Sequence, residues 1–318
     1  MRGDVPPPEI AAAFLRATQS AALAAQPWVG RNDKYAADLA AVTAMRHALR
    51  DSPMTGVVVI GEGEKDHAPM LGNGELVGNG RGPRLEIAVD PIDGTSLAAA
   101  GHAGALAVMA AVVGDGLFDP GPYFYMKKIA VGPGAKGSID VTASVAENLA
   151  SVSAALCRPV SDLTVVVVER PRHHDLMAEI RRCGAQLQIV PEGDIAAAIR
   201  TALPSSGVDV LMSIGGTPEG VIAAVALELL GGEFQGQLHV TDPDLRHNAA
   251  SLGYDVTRVL GHAELVGNGP LIFSATGITG GALLDGVTES AEGLHSHSLL
   301  LTSGAAPQFL SGEHSPSN

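Results

Sequence analysis

Cysteine is nearly absent. Cys157 and Cys183 are the only two in 318 residues, too few for a disulfide scaffold or a thiolate zinc site. Basic residues are also scarce: 20 Lys and Arg stand against 34 Asp and Glu, a formal charge of -14. No stretch forms a basic arm or stripe, so no nucleic-acid partner is expected. The apolar run AGHAGALAVMAAVVG is short and broken by His and Gly, and the N-terminal MRGDVPPPEI has no basic region ahead of an apolar core. Neither a transmembrane helix nor a signal peptide is expected, and the chain reads as cytoplasmic with no membrane partner. There is no P-loop, no G-x-G-x-x-G, no G-x-S-x-G elbow and no H-E-x-x-H. Those absences leave the acids to carry any chemistry. An acidic chain that handles an anionic ligand must supply positive charge locally, from a few placed Arg and Lys or from bound metal.

What is present is a 46% hydrophobic chain, long enough for one large or two medium domains. Apolar residues at Ile10, Phe14, Ala17 and Ala21 predict a helix over 9–25. A second helix is expected over about 34–49, with Leu39, Val42, Met45 and Leu49 facing inward. The period then changes, and TGVVVIGEGE, RLEIAVDPIDGT and GALAVMAAVV read as strands entering glycine-broken turns. From about residue 150 the pattern alternates strand and helix, as in a parallel α/β unit whose strand ends carry ligand loops. This gives an α+β domain over 1–150, an α/β domain over 151–303 and a disordered polar tail over 304–318.

The stretch Val89–Ser96, VDPIDGTS, puts Asp90 and Asp93 on one turn after an apolar run. Two ionised carboxylates this close repel unless a cation neutralises them, and a metal ion meets that need. Backbone N–H groups from Asp93 to Ser96 would suit a phosphate, although Asp and Thr capping the next element explains the octapeptide equally well. Other acids favour the metal. IGEGEKD places Glu62, Glu64 and Asp66 at another strand exit, and Asp38 shares a helical face with Val42, Met45 and Leu49, where an unpaired charge is costly. A pair with Lys34 is the bland alternative. Glu219 stands in the strand-end loop SIGGTPEGV, and VERPRHHD sets Arg170 and Arg172 after four valines, spaced to grip a phosphate. His173 and His174 read as structural or solvent-exposed, since adjacent histidines point in different directions. In VPEGD, Glu192 and Asp194 could accept bonds from sugar hydroxyls.

Taken in order, GRNDKYAAD, IGEGEKDHAPML, VDPIDGTS, GPGAKGSID, RPRH, PEGD, GGTPEGV and IFSATGIT span nearly the whole chain. This set resembles the bacterial class II, GlpX-type fructose-1,6-bisphosphatases. D-P-I-D-G-T is shared more widely among lithium-sensitive, magnesium-dependent phosphatases, whereas GEGEKDxAPML with GGxPEG is far more specific. The resemblance implies the layered α/β/α/β/α sandwich of the sugar phosphatases and removal of the 1-phosphate of fructose 1,6-bisphosphate in gluconeogenesis. It further implies that Asp38 and Glu62 hold one divalent ion, Mg²⁺ or Mn²⁺, and that Asp90, Asp93 and Glu219 hold others. Asp93, Gly94 and Thr95 would contact the scissile phosphate. Tyr125, Arg170, Pro171, Arg172, Glu192, Gly193, Asp194 and Gly216 would bind the sugar and its second phosphate. Asp66 and Thr95 are the candidates to orient or deprotonate the attacking water.

The chain departs from the family pattern at His67, Gly104 and Glu192, all outside the proposed metal ligands. Rival readings are a phosphatase for sedoheptulose 1,7-bisphosphate or an inositol phosphate and, from another class, a non-catalytic metal-dependent sugar-phosphate binding protein. A homo-oligomer is the default expectation for a soluble metabolic enzyme.

Overall fold

A computed structural model of the chain describes residues 5–61, 71–291 and 293–315. The chain divides into two compact units, one formed by residues 1–119 with 267–318 and the other by residues 120–266. Both are mixed α/β, each built on a mixed sheet, as the layered sugar-phosphatase fold requires.

The first unit opens with α1 (Pro8–Ala25), whose Ile10, Phe14, Ala17 and Ala21 are all buried. Proline is tolerated at its first turn because the missing N–H would have had no helical acceptor there. Helix α2 (Lys34–Leu49) is capped by Asp33, whose Oδ1 accepts the Ala36 N–H at 3.0 Å. Its buried stripe is Ala37, Ala41, Val42, Met45 and Leu49. Leu39, expected inside, is 39% exposed. A turn of about 100° per residue carries it past the stripe's edge, whereas the same geometry leaves Asp38 within it.

Next come β1 (Thr55–Ile60), β2 (Leu76–Val77), β3 (Arg84–Asp93), α3 (Thr95–Ala100) and β4 (Leu106–Val113). The second unit follows with β5 (Tyr125–Val131), α4 (Val145–Leu156), β6 (Thr164–Val168), α5 (His174–Arg182), β7 (Gln186–Val190), α6 (Asp194–Thr201), β8 (Val210–Gly216), α7 (Thr217–Leu229), β9 (Glu233–Leu238), α8 (Pro243–Asn248) and α9 (His262–Val266). The chain then returns to the first unit with β10 (Leu271–Gly277), β11 (Thr288–Ser290), β12 (Gly293–Thr302) and β13 (Gln308–His314).

In the first sheet the order is β11-β12-β10-β4-β3-β1-β2, with β13 paired to β12; β1 and β3 run parallel, and the other pairs are antiparallel. Leu85, Ile87, Val89, Met109 and Ala111 share a core with α1 and α2. These alternate residues define the face that the helices cover. Buried hydroxyls tie α1 down: Thr18 lies 2.9 Å from both Ser274 and Thr276, and Thr276 is 2.9 Å from Ser298. The IFSATGIT segment thus contributes packing of α1, since each buried hydroxyl finds a partner in its neighbour.

The second sheet runs β7-β6-β8-β5-β9. Strands β6, β7 and β8 are parallel, as the alternating pattern predicts, but β5 and β9 are antiparallel to their neighbours. This moves the division expected near residue 150. Residues 125–131 pair with β8 and β9, so they belong to the second unit, and everything from 267 onward belongs to the first. The expected disordered tail also requires correction. Residues 308–314 form β13, paired with β12 from Leu294↔His314 to Leu300↔Gln308, and Leu310 packs against the core. A polar edge strand has one solvated side, so its composition resembles that of a loop.

Deleting residues 304–318 removes this strand. Cross-strand pairs contribute about 0.2–1 kcal/mol each, so the truncated chain is expected to melt about 5 °C lower or more. A thermal melt by circular dichroism checks this, and an unchanged midpoint would show that β13 adds nothing to the fold.

Candidate functional site

In the first unit the key element is the end of β3. It runs three residues further than the sequence suggests, through Pro91 and Ile92 to Asp93. Opposite it, Asp90 pairs with Val108 and Asp93 with Leu106, so three steps on β3 span only two on β4. This is a β-bulge. In a regular strand, residues three apart point to opposite faces. The extra residue cancels that alternation, and Asp90 and Asp93 therefore face the same side, opposite the core of α1 and α2.

The turn is fixed by its own side chains. Asp90 Oδ1 accepts the Ile92 N–H at 3.1 Å, and Thr95 Oγ1 donates to the Ile92 carbonyl at 3.0 Å. Gly94 takes φ +86°, a left-handed conformation that a side chain would strain. Asp93 is 6% exposed, with its Oδ2 closed to solvent. The GRNDKYAAD segment docks against this turn: Gly30 N–H donates to Ala98 O at 2.9 Å, Asn32 N–H to Ala99 O at 2.8 Å and Lys34 Nζ to Ser96 Oγ at 2.6 Å. Helix α2, carrying half-buried Asp38, packs on both β3 and α3. Asp38 is thus carried by a helix that packs against the strand bearing Asp90 and Asp93 and against the helix that begins at Thr95. Glu62, Glu64 and Asp66 lie outside the described residues. Their strand β1 runs parallel to β3 with Ile60 opposite Ala88, so both strands end at the same sheet edge.

In the second unit, topology gathers the remaining candidates. Parallel strands β6, β7 and β8 end at one edge, where they exit into Arg170–Arg172, Glu192–Asp194 and Gly216–Glu219. Antiparallel β5 begins there, with Tyr125 opposite Gly216. This is the edge at which α/β sheets bind ligands. The Arg172 guanidinium lies 5.1 Å from the centre of the Tyr125 ring, and its Nε donates to Ile214 O at 2.8 Å. Arg170 donates to the carbonyls of Glu169 and Pro191 at 2.7 and 2.6 Å and pairs with Glu192 at 3.6 Å. It therefore clamps the β6 exit to the β7 exit. The carboxylate of Asp194 is already engaged, 2.5 Å from the ammonium of Lys128.

Two glycines here leave room for carboxylates. A Cβ on Gly216 would sit 1.7 Å from Glu219 Oε2, and one on Gly215 would sit 2.1 Å from Asp194 Oδ2. The carboxylates of Asp194 and Glu219 occupy the room where side chains of the Gly pair would be. Glu219 Oε2 is closed to solvent and makes no hydrogen bond among the described residues. A buried acceptor in that condition is costly unless a cation takes it up, so this oxygen fits a metal ligand. Among the described residues, no three His, Cys, Asp or Glu side chains converge closely enough to hold a metal. The expected donors are all carboxylate oxygens, hard ligands suited to Mg²⁺ or Mn²⁺.

His173 is structural, as expected. It is buried, its Nδ1 donates to Val168 O at 2.6 Å and its Nε2 accepts the Ile214 N–H at 2.8 Å. Burial pushes this imidazole below its ordinary value, and the neighbouring Arg172 charge pushes the same way. Lys128 is the residue that reading the sequence missed. The signal was there in YMKKIAV, since the two-residue period puts Lys128 on one face with buried Met126 and Ala130.

The first unit thus carries a carboxylate-bearing turn, and the second carries strand-end arginines and a glycine-framed glutamate, each on a mixed α/β scaffold. The chain belongs to the bacterial fructose-1,6-bisphosphatase, glpX-encoded family, whose model matches residues 8–309. It is 46% identical over 307 residues to fructose-1,6-bisphosphatase 1 class 2 of Escherichia coli K12, covering 92% of this chain and 91% of that protein. The class 2 enzyme of Shigella flexneri matches to the same extent.

Because the folded state holds His173 neutral while the unfolded chain binds a proton near the ordinary value of about 6.5, the unfolded state binds more protons below that pH. The stability contributed by His173 is therefore present above pH 6.5 and is lost as pH falls toward the lowered value. Urea unfolding at pH 7.5, 6.5 and 5.5 should show wild type losing stability more steeply than His173→Gln, and parallel curves would count against this assignment.

Proposed function

We propose that the chain hydrolyses the 1-phosphate of fructose 1,6-bisphosphate, giving fructose 6-phosphate and inorganic phosphate. The observation that carries this is the β3 bulge, which turns Asp90 and Asp93 to one face beside Gly94 and Thr95 in a chain of this family. Asp38 and Glu62 would hold one divalent ion, and Asp90, Asp93 and Glu219 would hold others. When bound, such ions polarise the phosphoryl oxygens, lower the pKa of water and neutralise the leaving alkoxide.

The protein's own residues have separate roles. Asp93, Gly94 and Thr95 meet the scissile phosphate, and the left-handed Gly94 exposes backbone to it. The Thr95 hydroxyl spends its proton on Ile92 O. Its lone pairs are then left to accept a hydrogen bond from the attacking water, which orients that water. Asp66 is the candidate to take the proton from the water. At the other end of the substrate, Tyr125, Arg170, Pro171, Arg172, Glu192, Gly193, Asp194 and Gly216 would receive the sugar and its second phosphate. Arg172, stacked on Tyr125, offers a planar cation to that phosphate. Asp194 is placed to act through its fixed position, because its carboxylate is already paired.

The ion is Mg²⁺ or Mn²⁺, the setting cytoplasmic gluconeogenesis and the assembly a homo-oligomer on this reading. No helix among the described residues is long and apolar enough to cross a membrane.

Phosphate release should be metal-dependent, abolished by chelator and faster on fructose 1,6-bisphosphate than on sedoheptulose 1,7-bisphosphate or inositol 1-phosphate. Metal binding without turnover on any of the three would replace the enzyme with a binding protein. Asp90→Asn and Thr95→Ala should each lower turnover by about 100-fold or more without unfolding the chain. Near-normal turnover in either would remove that residue from the site.

A further inference from the structure

Lys128 is charged and buried, its side chain 1% exposed. Removing an ammonium from water costs several kcal/mol unless it is both paired and hydrogen-bonded. Lys128 is: its Nζ lies 2.5 Å from Asp194 Oδ2 and donates to the carbonyl of Gly216 at 3.0 Å. Asp194 is further held by Ser213, whose hydroxyl donates to Oδ1 at 3.3 Å, and Ser213 is the strand partner of Lys128. Gly215 completes the arrangement. A Cβ there would lie 3.0 Å from Lys128 Nζ and 2.1 Å from Asp194 Oδ2, so a side chain at 215 would displace the ion pair.

The two partners of this ammonium belong to different strand exits. Asp194 starts α6 after β7, and Gly216 ends β8 and caps α7, whose first turn carries Glu219. A buried ion pair adds little stability over an apolar replacement, so stability alone gives no reason to keep a charge here. Its geometry supplies one: a single cation bridges two site loops, through the Asp194 carboxylate and the Gly216 carbonyl.

We propose that Lys128 is a positioning residue of the reaction, holding the Glu192–Asp194 and Gly216–Glu219 loops in register through Asp194 and the Gly216 carbonyl. The inference rests on the proposed function for its kinetic consequence but not for its structural one. Without this cation the Gly216 carbonyl loses one donor, the Asp194 carboxylate is left with no cation, and both loops shift together.

The test compares wild type with Lys128→Met, with Lys128→Gln as the smaller perturbation should the first not fold, and with Ile129→Ala. Ile129 is the adjacent buried residue, on the opposite face of β5, and serves as a control for loss of stability. Hydrogen exchange on the protein alone, without metal or substrate, should show at least tenfold faster exchange in peptides covering 192–194 and 214–219 for the Lys128 variants. The Ile129 variant should leave those two loops as they are. Steady-state kinetics with fructose 1,6-bisphosphate and Mn²⁺ should show KM raised and kcat lowered, each at least tenfold, for the Lys128 variants and neither for Ile129→Ala. Unchanged exchange in both loops overturns the proposal whatever the substrate. Wild-type turnover matched by a Lys128 variant within threefold also overturns it. A wild type that turns over nothing instead sinks the functional reading, and the exchange experiment then decides the role of Lys128 alone.

Discussion

The register of β3 against β4, which sets where the strand's carboxylates face, is the constraint on which the rest of the candidate site depends. Asp90 and Asp93 are turned to one face, Asp38 lies within a buried stripe, and Glu219 presents a buried oxygen that no described residue bonds. Taking carboxylates out of water costs free energy unless they are paired, hydrogen-bonded or coordinated. A scaffold that retains them must hold them by force of local structure. The bulge, the left-handed glycine and the Thr95-to-Ile92 bond supply that restraint in the first unit.

The second unit resolves the same problem differently. Where two acids come to one sheet edge, one of them, Asp194, is neutralised by Lys128, and the other, Glu219, is not bonded through Oε2. The Gly215–Gly216 pair makes this possible by leaving out side chains where the two carboxylates lie. One carboxylate is thereby paired with the protein's own cation, and the other keeps a buried oxygen that no described residue bonds. The same edge separates its arginines by task. Arg170 is bound to carbonyls and to Glu192 as a clamp, while Arg172 stacks on an exposed tyrosine.

Much of this was legible in the sequence, and the parts that were not share a cause. Local pattern gave α1, α2, β4 and the alternation of strand and helix from β6 to α7, because amphipathic period and turn chemistry are short-range properties. The strand-end placing of Arg170, Glu192 and Glu219 was also readable, since each follows an apolar run, whereas the strand that holds Asp90 continues to Asp93. Local pattern could not give the membership of β5, the return of the chain after residue 267 or the strand at 308–314. Those depend on pairing partners far along the chain, which no periodicity encodes.

What the sequence by itself determined, then, is the inventory: hard oxygen donors in glycine-rich loops, two arginines after a run of valines, and a family motif set across nearly the whole length. Residue types fix which ligand chemistry is available, and they do so without regard to folding. Tertiary structure alone decided how that inventory is allotted. The register of β3 against β4 brings Asp90 and Asp93 to one side, and the pairing of β5 with β8 delivers Lys128 to Asp194. A carboxylate's role depends on which charge stands within a few ångströms of it, and that distance is set by strands brought together from distant parts of the chain.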